Sequence, residues 1–146
     1  MTALPEILLV EDNPDELELT ISALKESNFA NPIHIARDGE EALDFLFARG
    51  PYTARQGAPA PKVMLLDLKL PKIDGIEVLR QVKADARTRT MPIVVLTSSQ
   101  QESDLLATYD LGANSYIVKP VDIDQFVEAI SAIGLYWMVL NERPHP

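Results

Sequence analysis

The 146-residue sequence contains no cysteine, which excludes disulfide bonds, a thiolate nucleophile and cysteine-ligated zinc. It has only two histidines, His34 and His145, and neither has a partner at metal-ligand spacing. Basic residues are scarce, since 13 lysines and arginines stand against 22 aspartates and glutamates, for a net charge of −9. Nucleic-acid surfaces need clustered lysine and arginine, so we expect no nucleic-acid partner.

Long apolar runs are also missing, and none reaches the length of a membrane-spanning helix. The N-terminal MTALPEILLVED has no basic flank ahead of an apolar stretch, unlike a signal peptide. We therefore expect a cytoplasmic protein with no membrane partner. The length fits a single domain, 1–146, with a core at about 6–130 and a C-terminal extension at 131–146.

Short, continuous apolar runs are the clearest positive pattern. They predict strands that are covered on both faces, as in a parallel sheet. Four such runs are Ile7–Val10, Val63–Leu66, Ile93–Leu96 and Tyr116–Val118. A weaker fifth run, Ile33–Ala36, predicts an edge strand.

Helix-start signals follow these runs. Asn13 offers an N-cap, Pro14 a first helical residue and Glu16 the acid of a capping box. Similar boxes begin at Asp38, Asp74, Ser99 and Asp122. Five strands that alternate with five helices predict an α/β fold, a doubly wound five-stranded parallel sheet. The segment 49–61, with three prolines and two glycines, predicts an exposed loop between the second helix and the third strand.

Chemistry-bearing residues stand where the predicted strands end. They are Glu11, Asp12, Asp67, Thr97 and Lys119. In a doubly wound sheet, ligands bind at the carboxyl ends of the strands. Three carboxylates there repel one another, and a hard divalent cation such as Mg²⁺ relieves the repulsion. Asp67 can then act as a nucleophile towards phosphorus, with the Thr97 hydroxyl and the Lys119 ammonium binding the phosphoryl oxygens.

These residues and their order resemble the response-regulator receiver family over about 6–130. The acidic patch Glu11–Asn13 resembles the family's metal-binding corner, and Asp67 matches its phosphoacceptor. Thr97 matches the family's hydroxyl and Lys119, followed by proline, its lysine. The spacings, 97 − 67 = 30 and 119 − 97 = 22, agree with the family.

The resemblance implies a flavodoxin-like receiver (βα)5 fold with an extended C-terminal helix, and a signalling switch rather than an enzyme. It implies Mg²⁺ or Mn²⁺ as the cofactor. The implied metal ligands are Glu11, Asp12, Asp67 and the Lys69 backbone carbonyl. Thr97 and Tyr116 would form the conformational switch, and Lys69 and Ser99 would modulate phosphate lifetime. The implied partner is a sensor histidine kinase.

A narrower resemblance concerns the kinase. The separation 67 − 12 = 55 is longer than is typical of the family, and the extra residues fall in the segment 49–61. This segment and the ending 134–142 resemble the small regulators that serve bacterial phytochromes. We therefore expect a phytochrome-type histidine kinase as the partner, and no output domain after the fifth helix.

The C-terminal region predicts self-association. A final helix starting after Asp122 would turn one apolar stripe to the core, including Ile123, Phe126 and Ile130. The stretch 133–140, IGLYWMVL, is apolar all round. We expect a homodimer through this region. The alternative is that the segment folds back over its own sheet edge.

Three other functions fit these residues less well. An aspartate-dependent phosphatase would carry a second aspartate two positions after the nucleophile, where this chain has Lys69. A flavodoxin-type flavin protein would have a phosphate loop rich in glycine and hydroxyls after the first strand, but the acidic EDNPDE would repel phosphate. A receiver-shaped adaptor that is never phosphorylated conflicts with the intact set of acids, threonine and lysine.

Overall fold

The computed structural model describes residues 7–26, 32–98 and 102–119, together with Asp122, Asp124, Gln125 and Glu128. All five predicted strands are present: β1 Ile7–Val10, β2 Ile33–Ala36, β3 Val63–Leu66, β4 Ile93–Thr97 and β5 Ser115–Val118. The helices are α1 Pro14–Glu26, α2 Gly39–Phe47, α3 Gly75–Ala84 and α4 Glu102–Asp110, with a 3₁₀ helix at Gly50–Arg55. Within the described part of the chain, every helix is too short or too polar to cross a membrane.

The strands form one parallel sheet in the order β2-β1-β3-β4-β5. This confirms the doubly wound fold and the edge position of β2. Ile7 of β1 lies beside Ile33 of β2 and Val63 of β3. Because all five strands run the same way, their carboxyl ends meet at one edge of the sheet. The chain order reverses between β1 and β3, and such a reversal is where this type of sheet binds its ligand.

The core has two layers, one on each face of the sheet. Leu8, Val10 and Leu66 turn to the face covered by α2 and α3, whereas Leu9 and Leu65 turn to the face covered by α1. These side chains are at most 2% exposed. Each fully buried leucine or valine contributes about 1.5–3 kcal/mol. The strand ends that carry the candidate site are therefore fixed by a close-packed sheet.

The helix starts follow the predicted caps. Asp38 accepts a hydrogen bond from the Glu41 N–H at 2.7 Å, and Asp74 accepts one from the Glu77 N–H at 2.9 Å. The Asp122 carboxylate accepts from the Asp124 N–H, as a cap of the fifth helix would. The predicted helix start at Ser99, the apolar stripe of the fifth helix and the stretch 133–140 lie outside the described residues.

The segment 49–61 connects α2 to β3 and is largely exposed, as predicted, but it contains the 3₁₀ helix Gly50–Arg55, which its composition does not predict. The Tyr52 ring packs edge-on against His34 and Phe45, both at 5.3 Å between ring centroids. The Arg55 guanidinium lies 3.7 Å from the Phe45 ring centroid. These contacts anchor the segment to α2 and β2, and they place His34 in a structural role. His145 lies outside the described residues.

Candidate functional site

Backbone hydrogen bonds continue past the strands and fix the residues that follow them. The Glu11 N–H donates to the Ala36 carbonyl at 3.0 Å, and the Asp67 N–H donates to the Val10 carbonyl at 3.1 Å. The Lys119 N–H donates to the Thr97 carbonyl at 2.8 Å. The sheet thus brings the residues from four different strand ends together at its carboxyl edge.

Three carboxylates gather at this edge, as the sequence predicts. Glu11, Asp12 and Asp67 each offer an oxygen, and these oxygens all lie within 4.8 Å of one another. Glu11 is 2% exposed and Asp67 6% exposed, whereas Asp12 is exposed to solvent. The cluster therefore opens to solvent on the Asp12 side. An all-oxygen set of this kind suits a hard divalent cation.

The Lys119 ammonium lies against the same cluster and is almost fully buried, with 8% of its side chain exposed. It donates to Asp67 Oδ2 at 3.1 Å, to Glu16 Oε2 at 2.8 Å and to Glu11 Oε1. An ammonium has three N–H donors, so each donor has a carboxylate acceptor. This network holds the positive charge beside the carboxylate cluster.

The surroundings raise the pKa of two groups at the site, Glu11 and Lys119. Burial, with a contribution from the Asp67 charge, raises the pKa of Glu11 to about 7, although hydrogen bonds from Lys119 and the Asn13 N–H oppose the rise. Burial alone would lower the pKa of Lys119, but hydrogen bonds to Glu11 and Glu16 and the Asp67 charge outweigh it and raise that pKa. Lys119 therefore stays charged at neutral pH, and added positive charge favours ionised Glu11.

The loop between Asp67 and α3 is held by close backbone packing. The Gly75 N–H donates to the Leu68 carbonyl at 2.8 Å, and a Cβ at Gly75 would lie 2.3 Å from the Asp67 carbonyl oxygen. The same loop also packs against the start of α2, where a Cβ at Gly39 would lie 1.9 Å from the Ile73 carbonyl oxygen. Only glycine permits these approaches. Gly75 thus begins α3 and fixes the loop bearing Lys69.

Thr97 and Tyr116 share one face of the sheet. Thr97 is fully buried and is the last residue of β4 rather than the first residue after it. Val95 pairs with Tyr116, and Thr97 pairs with Val118, so Thr97 and Tyr116 are diagonal neighbours on the same face. Tyr116 is half-buried and borders a surface hollow that Tyr109 of α4 and Glu128 also line.

Glu16 is the site residue that the sequence reasoning missed. The sequence predicts it to be the acid of a capping box, whose side chain reaches back to the Asn13 N–H. In the structure that N–H donates to Glu11 Oε2 at 3.2 Å, while the Glu16 carboxylate accepts from Lys119. The capping half of the prediction holds, because Asn13 Oδ1 accepts from the Glu16 N–H at 3.1 Å. No local pattern signals the contact with Lys119, which is 103 residues away.

A doubly wound parallel sheet with clustered carboxylates and a buried lysine at its carboxyl edge defines the receiver class of signalling domain. Residues 7–131 match the family model described as the response regulator receiver domain, and the chain belongs to this family. Receiver domains are signalling modules of two-component systems, and phosphorylation and binding of Mg²⁺ or Mn²⁺ at an acidic pocket are general to them.

The comparisons point to a narrower group within the family. The structure of the bacteriophytochrome response regulator RtBRR is 51% identical, with a TM-score of 0.85, over 97% of this chain and 85% of that one. That of the bacteriophytochrome response regulator AtBRR is 52% identical, with a TM-score of 0.83, over 97% of this chain and 100% of that one. The chain is thus similar to phytochrome-associated regulators along nearly its whole length.

Response regulator Rcp1 of Synechocystis sp. is a more distant relative. It is 38% identical over 132 residues, which is 90% of this chain and 88% of that protein. The structure of the Mn²⁺-bound form of Rcp1 is 34% identical and superposes with a TM-score of 0.73 over 97% of this chain and 100% of that one. The donor set Glu11, Asp12 and Asp67 fits such a cation, because it offers oxygen ligands only.

Proposed function

We propose that this chain is a two-component response regulator that accepts one phosphoryl group on Asp67. The observation that carries the proposal is the position of the Asp67 carboxylate. Asp67 follows the central strand β3, one of its oxygens is 3.1 Å from the Lys119 ammonium, and its carboxylate belongs to the cluster that fits a divalent cation. Asp12 is exposed. Glu11 and Asp67 both accept hydrogen bonds at each carboxylate oxygen, so position separates them: Asp67 follows the central strand of the sheet, whereas Glu11 follows β1.

The proposed reaction is a transfer from a phosphohistidine. An Asp67 carboxylate oxygen forms a bond to phosphorus while the bond from phosphorus to the donor imidazole nitrogen breaks, and the bonding electron pair leaves with that nitrogen. The Lys119 ammonium and the Thr97 hydroxyl bind phosphoryl oxygens as their charge develops. Their backbones are fixed by the packed ends of β4 and β5, so only side-chain movement is needed.

For the metal, we propose Mg²⁺ or Mn²⁺ held by Asp12, Asp67 and the Lys69 backbone carbonyl, with Glu11 helping through water. The bound cation supplies charge neutralisation for the phosphoryl oxygens and for the clustered carboxylates. The support on this chain is the exposed Asp12 beside two buried acids. Among the relatives, the Mn²⁺-bound Rcp1 structure supports it.

The proposed switch couples Thr97 to Tyr116. A phosphoryl oxygen draws the Thr97 hydroxyl inward, and the Tyr116 ring takes up the space vacated. The hollow beside Tyr116 is lined by residues of α4 and β5 and by Gln125 and Glu128, so a moving ring changes the surface there. Phosphorylation can shift this equilibrium only if it interacts differently with the two states.

The proposed donor is a sensor histidine kinase of the phytochrome type, acting in the cytoplasm. Its support is the sequence identity of this chain to two bacteriophytochrome response regulators, which is 51% to RtBRR and 52% to AtBRR. Phosphotransfer from a panel of autophosphorylated histidine kinases tests it, and equal or faster transfer from kinases that lack a phytochrome sensor would overturn the assignment.

A homodimer through the C-terminal region stays a prediction, which light scattering on the full chain and on a truncation after Gly134 decides.

Acetyl phosphate tests the central part of the proposal without a kinase. Wild-type protein with Mg²⁺ should gain the mass of one phosphoryl group, and excess chelator should prevent the gain. Asp67→Asn should gain none. Asp74→Asn is the matched control, because it makes the same chemical change at the cap of α3, where asparagine also caps well. Labelling of Asp67→Asn at the wild-type level would refute the assignment.

A further inference from the structure

We infer that Glu16 is a positioning residue for phosphoryl transfer, which holds the Lys119 ammonium in place while the other lysine partners are engaged elsewhere. The inference rests on the proposed function of Asp67. It concerns the contact between the first turn of α1 and the residue that follows β5. Glu16 acts through Lys119 and makes no contact with the phosphoryl group.

The Lys119 ammonium has three carboxylate partners, and these differ in what else they do. Glu11 and Asp67 belong to the cluster whose oxygens lie within 4.8 Å of one another, and Glu16 does not. A cation held by Asp12 and Asp67, with Glu11 helping through water, would draw both of these lysine partners towards itself and repel the ammonium. Glu16 is therefore the partner whose hydrogen bond survives when the cluster is filled.

Phosphorylation itself removes a second partner. Once Asp67 carries a phosphoryl group, the N–H that pointed to Asp67 Oδ2 must turn to a phosphoryl oxygen. The geometry allows this with a small rotation, provided that the ammonium stays anchored from another side. The Glu16 contact, at 2.8 Å, is shorter than the Asp67 contact, at 3.1 Å, and comes from a different element.

Glu16 is itself well placed for this task. Its N–H donates to Asn13 Oδ1 at 3.1 Å, so the first turn of α1 fixes its backbone. A carboxylate is also favoured near a helix N-terminus. The Glu16 side chain is 37% exposed while that of Lys119 is 8% exposed, so the ammonium is held between buried acids and one acid near solvent. Without Glu16, the ammonium is drawn towards Glu11 and Asp67, where the cation must sit.

Glu16→Gln tests the inference, and Glu18→Gln is its matched control. Both variants remove one carboxylate from α1, but the Glu18 side chain is exposed and does not approach Lys119. The measurement is the rate of labelling by acetyl phosphate as Mg²⁺ is titrated to saturation. A charge-assisted hydrogen bond corresponds to about a tenfold change in rate, so Glu16→Gln should label about tenfold more slowly at saturating Mg²⁺. Glu18→Gln should stay near the wild-type rate.

The Mg²⁺ dependence separates positioning from a general loss of negative charge. If Glu16 acted only through the electrostatic field, more Mg²⁺ would restore the rate, and both variants would raise the half-saturating concentration alike. Positioning predicts a lower maximum rate that Mg²⁺ does not restore. Either a full recovery or equal behaviour of the two variants overturns the inference.

A second readout needs no turnover. In ¹⁵N-labelled, Mg²⁺-loaded protein, the Lys119 ammonium signal should be visible in the wild type and in Glu18→Gln, because a hydrogen-bonded ammonium exchanges its protons slowly. The signal should broaden in Glu16→Gln, and an unchanged signal overturns the inference. Wild-type protein that is never labelled would refute the proposed function and this inference together. Labelled wild type with an unaffected Glu16→Gln refutes the inference alone.

Discussion

The Lys119 ammonium lies 3.1 Å from Asp67 Oδ2, although the two residues are 52 positions apart and stand at the ends of strands that are not neighbours. Strand β4 separates β3 from β5 in the sheet, so Lys119 reaches across the end of β4, where Thr97 is buried. The ammonium and the Asp67 carboxylate thus meet across the end of β4.

Asp12 is the exposed member of the carboxylate cluster. Asp12→Ala should weaken Mg²⁺ binding by roughly tenfold or more, the scale of losses at metal sites. It should also relieve repulsion in the metal-free protein, raising the free energy of unfolding by up to about 1 kcal/mol, the scale of an exposed charge pair. Calorimetric Mg²⁺ titration and urea unfolding in chelator measure both effects. Asp15→Ala, which removes a carboxylate from the first turn of α1, is the control and should leave the Mg²⁺ affinity near wild type. An unchanged Mg²⁺ affinity in Asp12→Ala would count against the assignment.

Thr97 is the predicted trigger of the switch. With Mg²⁺ and beryllofluoride, a phosphate mimic, the Thr97 hydroxyl and the Tyr116 ring should both move, and Thr97→Ala should bind the mimic while leaving Tyr116 in place. Side-chain NMR of Tyr116 follows the change. Thr88→Ala is the control, because Thr88 is also a buried threonine but donates to the Val82 carbonyl, far from the site. If the mimic left Thr97 and Tyr116 unmoved, the switch would lie elsewhere.

Gly75 permits the close approach of α3 to the backbone of Asp67. A Cβ there would lie 2.3 Å from the Asp67 carbonyl oxygen and 2.5 Å from Leu68 Cα, and backbone cannot yield as a flexible side chain can. Gly75→Ala should lower the free energy of unfolding by about 1–3 kcal/mol and slow labelling by acetyl phosphate. Gly57→Ala is the comparison, because Gly57 has a φ of +85° but open space around it. That variant should lose about 1–2 kcal/mol and label normally.

His34 makes the stability depend on pH. Burial lowers the pKa of His34 below its ordinary value of 6.5, with Arg55 acting in the same direction and Glu41 opposing it. The unfolded chain therefore binds a proton at His34 before the folded chain does. The contribution of neutral His34 to the free energy of unfolding is fully present above pH 6.5 and is lost as the pH falls through the lowered pKa. Urea unfolding between pH 7.5 and about 5 measures the loss, and the difference between wild type and His34→Gln isolates it. Parallel curves for the two proteins would contradict the assignment.

Local sequence predicts the sheet well because its strands are short apolar runs that need no partner to be recognised, and parallel packing then brings their ends together. It predicts Asp67 and Lys119 for the same reason. Glu16 was missed because its position in the first turn of α1 already had a local explanation, and its contact with Lys119 depends on tertiary packing alone. The 3₁₀ helix was missed because glycine and proline indicate a loop, whereas Tyr52 and Arg55 are ordered by contacts with Phe45.

The most direct test of the account is to locate the phosphoryl group. After labelling with acetyl phosphate and Mg²⁺, borohydride reduces an aspartyl phosphate to homoserine, and tandem mass spectrometry then reads its position. The account predicts homoserine at position 67 and at no other acidic residue, with none in Asp67→Asn. Homoserine at Asp12 or elsewhere, or a phosphoryl group that borohydride does not remove, would contradict the central claim.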